Sequence, residues 1–187
     1  MIRRLLLAAL CCISLSAFGQ SLTSAQLDTL RNAVCANTSA KALLQAGDSA
    51  GLRTYMNAVG SPAFVVWKSS VTIRETGQAF DGTEWAGMTS ANHTRLQTVA
   101  QYLMAYSPAV AGVRAMFNDI WSGAGGATTR ANLLALWKRN ASRFEQAFAT
   151  GTGSDASPAT LGVEGSLSAL DSTRTIFLDN GSIFACP

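Results

Sequence analysis

Short stretches of helical apolar spacing, separated by capping residues and glycines, constrain the fold of this chain more than any other feature. In the first stretch Leu27, Leu30 and Val34 lie on one face of a helix that begins near Ser24. Residues 64–67 are apolar and β-branched, but this stretch is short. The sequence therefore predicts a mainly α fold: a compact single-domain helical bundle of about six helices with at most a minor β-hairpin.

Further helices are predicted from the residues that can start them. Ser39 and Asp48 can cap two short helices, and Thr72 with Glu75 three residues later forms a capping box. Thr89 can cap a longer helix that runs to about Met104. Ser168 can cap a last helix, and Ser107-Pro108 predicts a helix that begins at the proline. The strongest pattern predicts one helix over 130–149, with an apolar stripe of Leu133, Trp137, Ala141, Phe144 and Phe148.

The N-terminal stretch MIRRLLLAALCCISLSAFGQ has the order of regions found in a secretory signal. Arg3 and Arg4 precede an apolar run, and the small residues Ala17 and Gly19 predict cleavage after Gly19. An uncleaved anchor, a misplaced start codon and a buried first helix are the alternatives. The run is short for a bilayer span.

Length and composition bound the rest of the chain. With 187 residues, of which 48% are hydrophobic and 13% charged, the chain is too apolar for disorder. We predict a signal-peptide-like leader at 1–19 and a single α-helical domain at 20–187, with a flexible loop at 150–160 inside it. Loss of the two leader arginines lowers the formal charge from +3 to +1. We therefore expect no nucleic-acid partner, and no membrane partner once the leader is removed.

Cleavage would leave two cysteines, Cys35 near the new start and Cys186 beside the end. Two thiols in a small exported domain are expected to pair. The alternative is two separate thiols. The sequence thus makes Cys35 and Cys186 a candidate disulfide.

The stretch WSGAGGATTRANLLALWKR at 121–139 has the glycine-rich loop and following helix of a phosphate cradle. It lacks the lysine of nucleotide-binding loops and does not match Gly-x-Gly-x-x-Gly. We interpret Gly125 and Gly126 as a tight turn between helices, and Thr128 or Thr129 as the cap of the next helix. An incidental anion site is the alternative.

Residues capable of catalysis are few. His93 is the sole histidine and lies in the first turn of a predicted helix, away from any nucleophile motif. Asp81 and Glu84 are close in sequence, but Asp81 is better interpreted as a turn residue beside Gly82. The four tryptophans are interpreted as core residues. We predict no catalytic residue, no metal site and no cofactor, and hence no enzyme.

Four stretches carry a resemblance to a known family: SPAFVVWKSSVTI, GMTSANHTRLQTVA, FNDIWSGAGGATTRANLLALWKR and FATGTGSDASPATLGVEGSLS. In this order, over about 22–170, they resemble small virion-associated proteins of tailed bacteriophages and prophages. The resemblance implies a virion location, other virion proteins or copies of the same chain as partners, and no catalytic residue.

These observations lead to two functional hypotheses. The first is a non-enzymatic structural protein of a tailed phage or prophage particle, in the tail or neck, that acts by protein–protein packing. The alternative is a secreted or periplasmic α-helical binding protein of unknown ligand. For the first hypothesis, the candidate partner-contact loops comprise Gly123, Gly125, Gly126, Thr150, Gly151, Thr152, Gly153, Ser154 and Asp155.

Overall fold

The structure is a computed structural model that describes residues 21–187; the predicted leader at 1–19 lies outside the described residues. Within that range it contains ten α-helices and six short strands. The helices are α1 Ser24–Ala36, α2 Thr38–Gln45, α3 Ser49–Asn57, α4 Ile73–Gln78, α5 Gly82–Ala86, α6 Ser90–Tyr102, α7 Ala111–Ile120, α8 Ala127–Trp137, α9 Arg143–Gln146 and α10 Ala169–Ile176. The strands are β1 Val65–Trp67, β2 Val71–Thr72, β3 Ala105–Tyr106, β4 Lys138–Asn140, β5 Ala149–Thr150 and β6 Thr160–Leu161.

The described chain divides into two compact units. Unit 1 contains 21–58, 143–147 and 164–187, and unit 2 contains 59–142 and 148–163. The prediction of a mainly α fold is confirmed. The predicted number of about six helices is wrong: there are ten, of which α5 begins where a turn was predicted, and α8 and α9 take the place of one predicted helix.

Unit 1 is a group of helices in which α3 packs on α2 and α10, and α1 packs on the same two helices. Its core includes fully buried aliphatic side chains from these four helices, among them Leu30, Leu44, Leu52 and Ile176. Each such side chain stabilises the fold by roughly 2 kcal/mol through removal of apolar surface from water. The predicted caps are confirmed at Asp48 for α3 and Ser168 for α10. The second helix is capped by Asn37 rather than by Ser39.

A disulfide between Cys35 and Cys186 closes unit 1, as the sequence predicted. The two Cα atoms lie 5.5 Å apart although the residues are 151 positions apart in sequence. Cys35 lies on α1, and Cys186 follows a tail that returns through a bridge between Phe177 and Ile183. The bond therefore ties the C-terminal tail to the first helix.

Unit 2 combines helices with three antiparallel strand pairs, β1 with β4, β2 with β3, and β5 with β6. Its largest core cluster surrounds Trp137, Phe117 and Tyr106, all of them buried. Trp137 Nε1 donates a hydrogen bond of 2.9 Å to the Tyr106 hydroxyl, which also lies 2.6 Å from Thr76 Oγ1. These bonds satisfy polar groups that would be costly to bury alone.

The predicted helix over 130–149 is wrong in its length and continuity. Helix α8 ends at Trp137, and the next three residues form β4, which pairs with β1 in the register Val65↔Asn140 and Trp67↔Lys138. Only four residues, in α9, return to helical form. The strand pairing offers the backbone of β4 hydrogen bonds to another segment, and it overrides the local helical preference.

One predicted helix start and one predicted turn also change in the structure. Helix α7 begins at Ala111 rather than at the proline after Ser107, and it has no side-chain cap. The predicted turn at Asp81-Gly82 is instead the start of α5, where Asp81 Oδ1 accepts hydrogen bonds from the amides of Thr83 and Glu84. The capping box at Thr72 and the cap at Thr89 are confirmed.

Candidate interaction surface

The glycine-rich stretch forms a tight corner between α7 and α8 within unit 2. Gly123 has φ +79°, a conformation that favours glycine, and a 3-10 turn at Ala124–Gly126 leads into α8. Gly126 is buried against the end of α7, since a Cβ there would lie 2.1 Å from the Trp121 carbonyl oxygen. Gly123 and Gly125 are exposed, and a Cβ on either would meet open space.

The N-terminus of α8 binds an anion supplied by the chain itself. Glu84 on α5 accepts hydrogen bonds of 2.8 and 2.7 Å from the amides of Thr128 and Thr129. The predicted side-chain cap by one of these threonines is therefore wrong, because their amides are the groups that are capped. Thr129 Oγ1 instead accepts a bond of 3.0 Å from the Asp81 amide.

The electrostatics of this contact favour the charged carboxylate. Desolvation raises the pKa of Glu84, but the amides of Thr129 and Thr128 outweigh it and hold the pKa at about 2. A helix N-terminus attracts negative charge because its first amides lack partners and its dipole is positive there. The glycine-rich corner uses this attraction to fix α5 to α8.

Arg130 bonds to the other end of the corner, where α7 ends. Its Nη1 donates to the carbonyl oxygen of Trp121 and, at 2.8 Å, to that of Gly123. A cation at these carbonyls neutralises the negative end of α7. The polar groups that made this stretch resemble a phosphate cradle are thus bonded within unit 2.

The segment at 150–155, the other predicted partner-contact loop, is attached to β1. Gly153 is buried with φ +66°, and a Cβ there would meet the Phe64 ring at 2.2 Å. Its carbonyl accepts a bond of 2.7 Å from the Val65 amide, and Asp155 forms a 3.0 Å ion pair with Lys138. The remaining members of the segment are exposed: Thr150, Gly151, Thr152 and Ser154.

His93 and Trp85 belong to an aromatic group on unit 2. The His93 ring meets Trp85 edge-on at 4.7 Å, and Phe80 stacks on Trp85 at 5.7 Å. Trp85 is 39% exposed, so the prediction that all four tryptophans are core residues is wrong for this one. A small apolar pocket of about 150 Å³ lies beside it, lined by Phe80, Leu96 and their neighbours.

Among residues 21–187, no group of three or more His, Cys, Asp or Glu is placed to hold a metal ion.

The connection between α6 and α7 exposes apolar side chains that the sequence analysis did not single out. Met104 is 92% exposed and Tyr102 81%, and Val110 at the other end of the connection is 54% exposed. Single exposed apolar residues are ordinary, whereas several on one short segment indicate an interaction surface. The signal in the sequence was an apolar run, YLMAY, that continues beyond the helical spacing of α6.

A groove beside this connection runs between α6 and α7 and has a volume of about 520 Å³. Its apolar lining includes Val99, Met116 and Ile120, and small residues at 112 and 115 form part of one wall. We call the groove and the exposed connection together the α6–α7 face.

Within residues 21–187, no helix is both long and apolar enough to cross a bilayer.

The chain matches no protein-family model, no curated protein sequence and no solved structure.

Proposed function

We propose that the protein is non-enzymatic and acts through protein–protein packing, as a structural component in the tail or neck of a tailed phage or prophage particle. The observation that carries the proposal is the exposure of Tyr102 and Met104 beside the groove of the α6–α7 face. Burying such side chains against another protein gains roughly 25 cal/mol for each Å² of apolar surface. The resemblance of the sequence to virion-associated proteins is the reason for proposing a phage particle as the assembly.

Purified particles provide the direct test. Mass spectrometry of gradient-purified particles should find peptides from this chain at a constant ratio to the major tail proteins. Replacing Tyr102 and Met104 with serine should reduce that ratio. Leu170→Ser is the matched control, because Leu170 is also an exposed apolar residue, at 62%, but lies on α10 of unit 1. Consistent absence of the wild-type chain from the particles overturns the proposal.

The Cys35–Cys186 disulfide favours a second candidate function, a secreted or periplasmic α-helical binding protein. Such bonds form and persist in oxidising compartments. The pocket beside Phe80 and Trp85 is apolar, so the ligand class for this candidate is a small apolar molecule. Cell fractionation with N-terminal sequencing distinguishes the two functions. A periplasmic chain that begins at Gln20 supports the second candidate, and a cytoplasmic chain that retains Met1 refutes it.

A further inference from the structure

The groove of the α6–α7 face carries one charge of each sign on opposite walls. Arg95 on α6 and Asp119 on α7 both line it and are both exposed. Neither side chain takes part in an ion pair or hydrogen bond with any residue of 21–187. An isolated pair of this kind is available to a partner that presents the opposite charges.

The two charges lie at the same end of the groove. Asn92 Nδ2 on α6 donates a hydrogen bond of 2.7 Å to the Ile120 carbonyl oxygen on α7, which places the start of α6 beside the end of α7. Arg95 is one turn beyond Asn92, and Asp119 directly precedes Ile120. The helices therefore run antiparallel, with the cation on one wall and the anion at a similar height on the other.

This arrangement is self-complementary. A two-fold axis parallel to the groove places α6 of one copy opposite α7 of the other without moving either along the axis. Arg95 of each copy then faces Asp119 of its partner, as an isologous interface requires. Val99 of each copy then faces Met116 on α7 of its partner, and the small residues Gly112 and Ala115 allow close approach.

We infer that the α6–α7 face binds a second copy of this chain through two reciprocal Arg95–Asp119 pairs. The inference rests on the proposed function, because it names the partner of the same surface. The α6–α7 face is about 20 Å long, because α6 has thirteen residues, and it is about as wide as two helices. The surface area that it can bury is small for a stable dimer. Self-association is accordingly measured by sedimentation velocity over a range of about 1–200 µM.

Opposite charge reversals test the pairing. Arg95→Asp gives a chain with two acids in the groove, and Asp119→Arg gives a chain with two cations. Each variant alone should bind itself about tenfold more weakly than the wild type, or worse, because like charges now face each other. An equimolar mixture of the two should recover association, since every acid then faces a cation. The double variant Arg95→Asp/Asp119→Arg should also recover it.

The matched control is Arg53→Asp, which makes the same change of charge at an exposed position on α3 of unit 1. It should dimerise as the wild type does, and circular dichroism should show all variants folded, because both groove charges are exposed. A wild-type chain that stays monomeric over the whole range overturns the inference, as do single reversals that dimerise like the wild type. So does a mixture no tighter than either variant alone.

The outcomes also separate this inference from the proposed function. A monomeric chain that is present in purified particles refutes the second copy as partner and leaves the structural function standing. If the chain forms a dimer that responds to charge exchange but is absent from particles, the result supports the interface and refutes the proposed structural role in the particle.

Discussion

Replacing Gly126 with alanine tests whether the corner between α7 and α8 depends on the absence of a side chain. The added Cβ would lie 2.1 Å from the carbonyl oxygen of Trp121 and 2.7 Å from its carbonyl carbon. Ordinary contact of a Cβ begins near 3.4 Å, so the two backbone segments must separate by about 1.3 Å, the difference between 3.4 and 2.1. Neither neighbour is the movable end of a side chain, and the structure cannot relax by changing a rotamer.

The expected cost has two sources. Forcing a methyl group into a filled site costs about 1–3 kcal/mol. Moving the Trp121 carbonyl also breaks the hydrogen bond that it accepts from Arg130, which is worth about 1.5–3 kcal/mol for a charged donor. Alanine returns about 0.4–1 kcal/mol by restricting the unfolded chain. We therefore expect Gly126→Ala to lower the free energy of unfolding by about 3 kcal/mol, which corresponds to a fall in Tm of about 6–12 °C.

Gly125→Ala is the matched control, because a Cβ at the preceding residue meets nothing within 4 Å. The control gains the same restriction of the unfolded chain and should stay within about 1 kcal/mol of the wild type. Thermal and urea denaturation followed by circular dichroism measure both variants. If Gly126→Ala and Gly125→Ala are equally stable, the close approach to Trp121 does not hold the corner together and the reasoning fails.

Three further changes test other contacts. Tyr106→Phe removes the acceptor of a buried indole N–H and should cost about 1–3 kcal/mol in urea denaturation, whereas Tyr102→Phe, at an exposed ring, should cost almost nothing. Glu84 has a folded pKa of about 2 against an ordinary value of 4.5, so its stabilisation is present above pH 4.5 and is lost as the pH falls towards 2. Glu84→Gln should therefore lose less stability than the wild type between pH 4.5 and 2, and an identical slope would exclude the contact. The double variant Cys35→Ser/Cys186→Ser, which opens a loop of 151 positions, should lower the free energy of unfolding by up to about 5 kcal/mol; a change below about 1 kcal/mol would contradict the loop-entropy estimate.

Local sequence chemistry predicted the helix starts well. The capping box at Thr72 and the caps at Asp48, Thr89 and Ser168 each involve a side chain and an amide three residues away. Such contacts are complete within one turn, and a single sequence contains all the information that they require.

Contacts between segments that are distant in sequence could not be predicted from local sequence patterns. Nothing near Lys138 in the sequence indicates that its backbone pairs with Trp67, and that pairing ends α8. The carboxylate of Glu84 lies 44 positions from the amide of Thr128 that it caps. The glycine-rich corner was correctly interpreted as a turn between helices. The anion at the start of α8 is the Glu84 carboxylate, and only the position of α5 in the structure identifies it.

The exposed α6–α7 connection illustrates a different limit. The apolar spacing predicts a helix that ends at about Met104, where half of the positions face a core. The structure ends α6 at Tyr102, and Met104 lies outside any buried stripe. The prediction that the glycine corner and the 150–155 loop contact a partner stays a prediction, and the α6–α7 face is added to it.

The order in which the chain is synthesised gives the disulfide of unit 1 a further consequence. All residues of unit 2 precede residue 164, whereas unit 1 needs its last segment, 164–187, which carries α10 and Cys186. A nascent chain can therefore fold unit 2 before unit 1 has all its parts. Until Cys186 emerges, Cys35 has no native partner and its thiol is open to other thiols. Correct oxidation of this protein thus requires that synthesis has passed Cys186 and that α10 has joined unit 1.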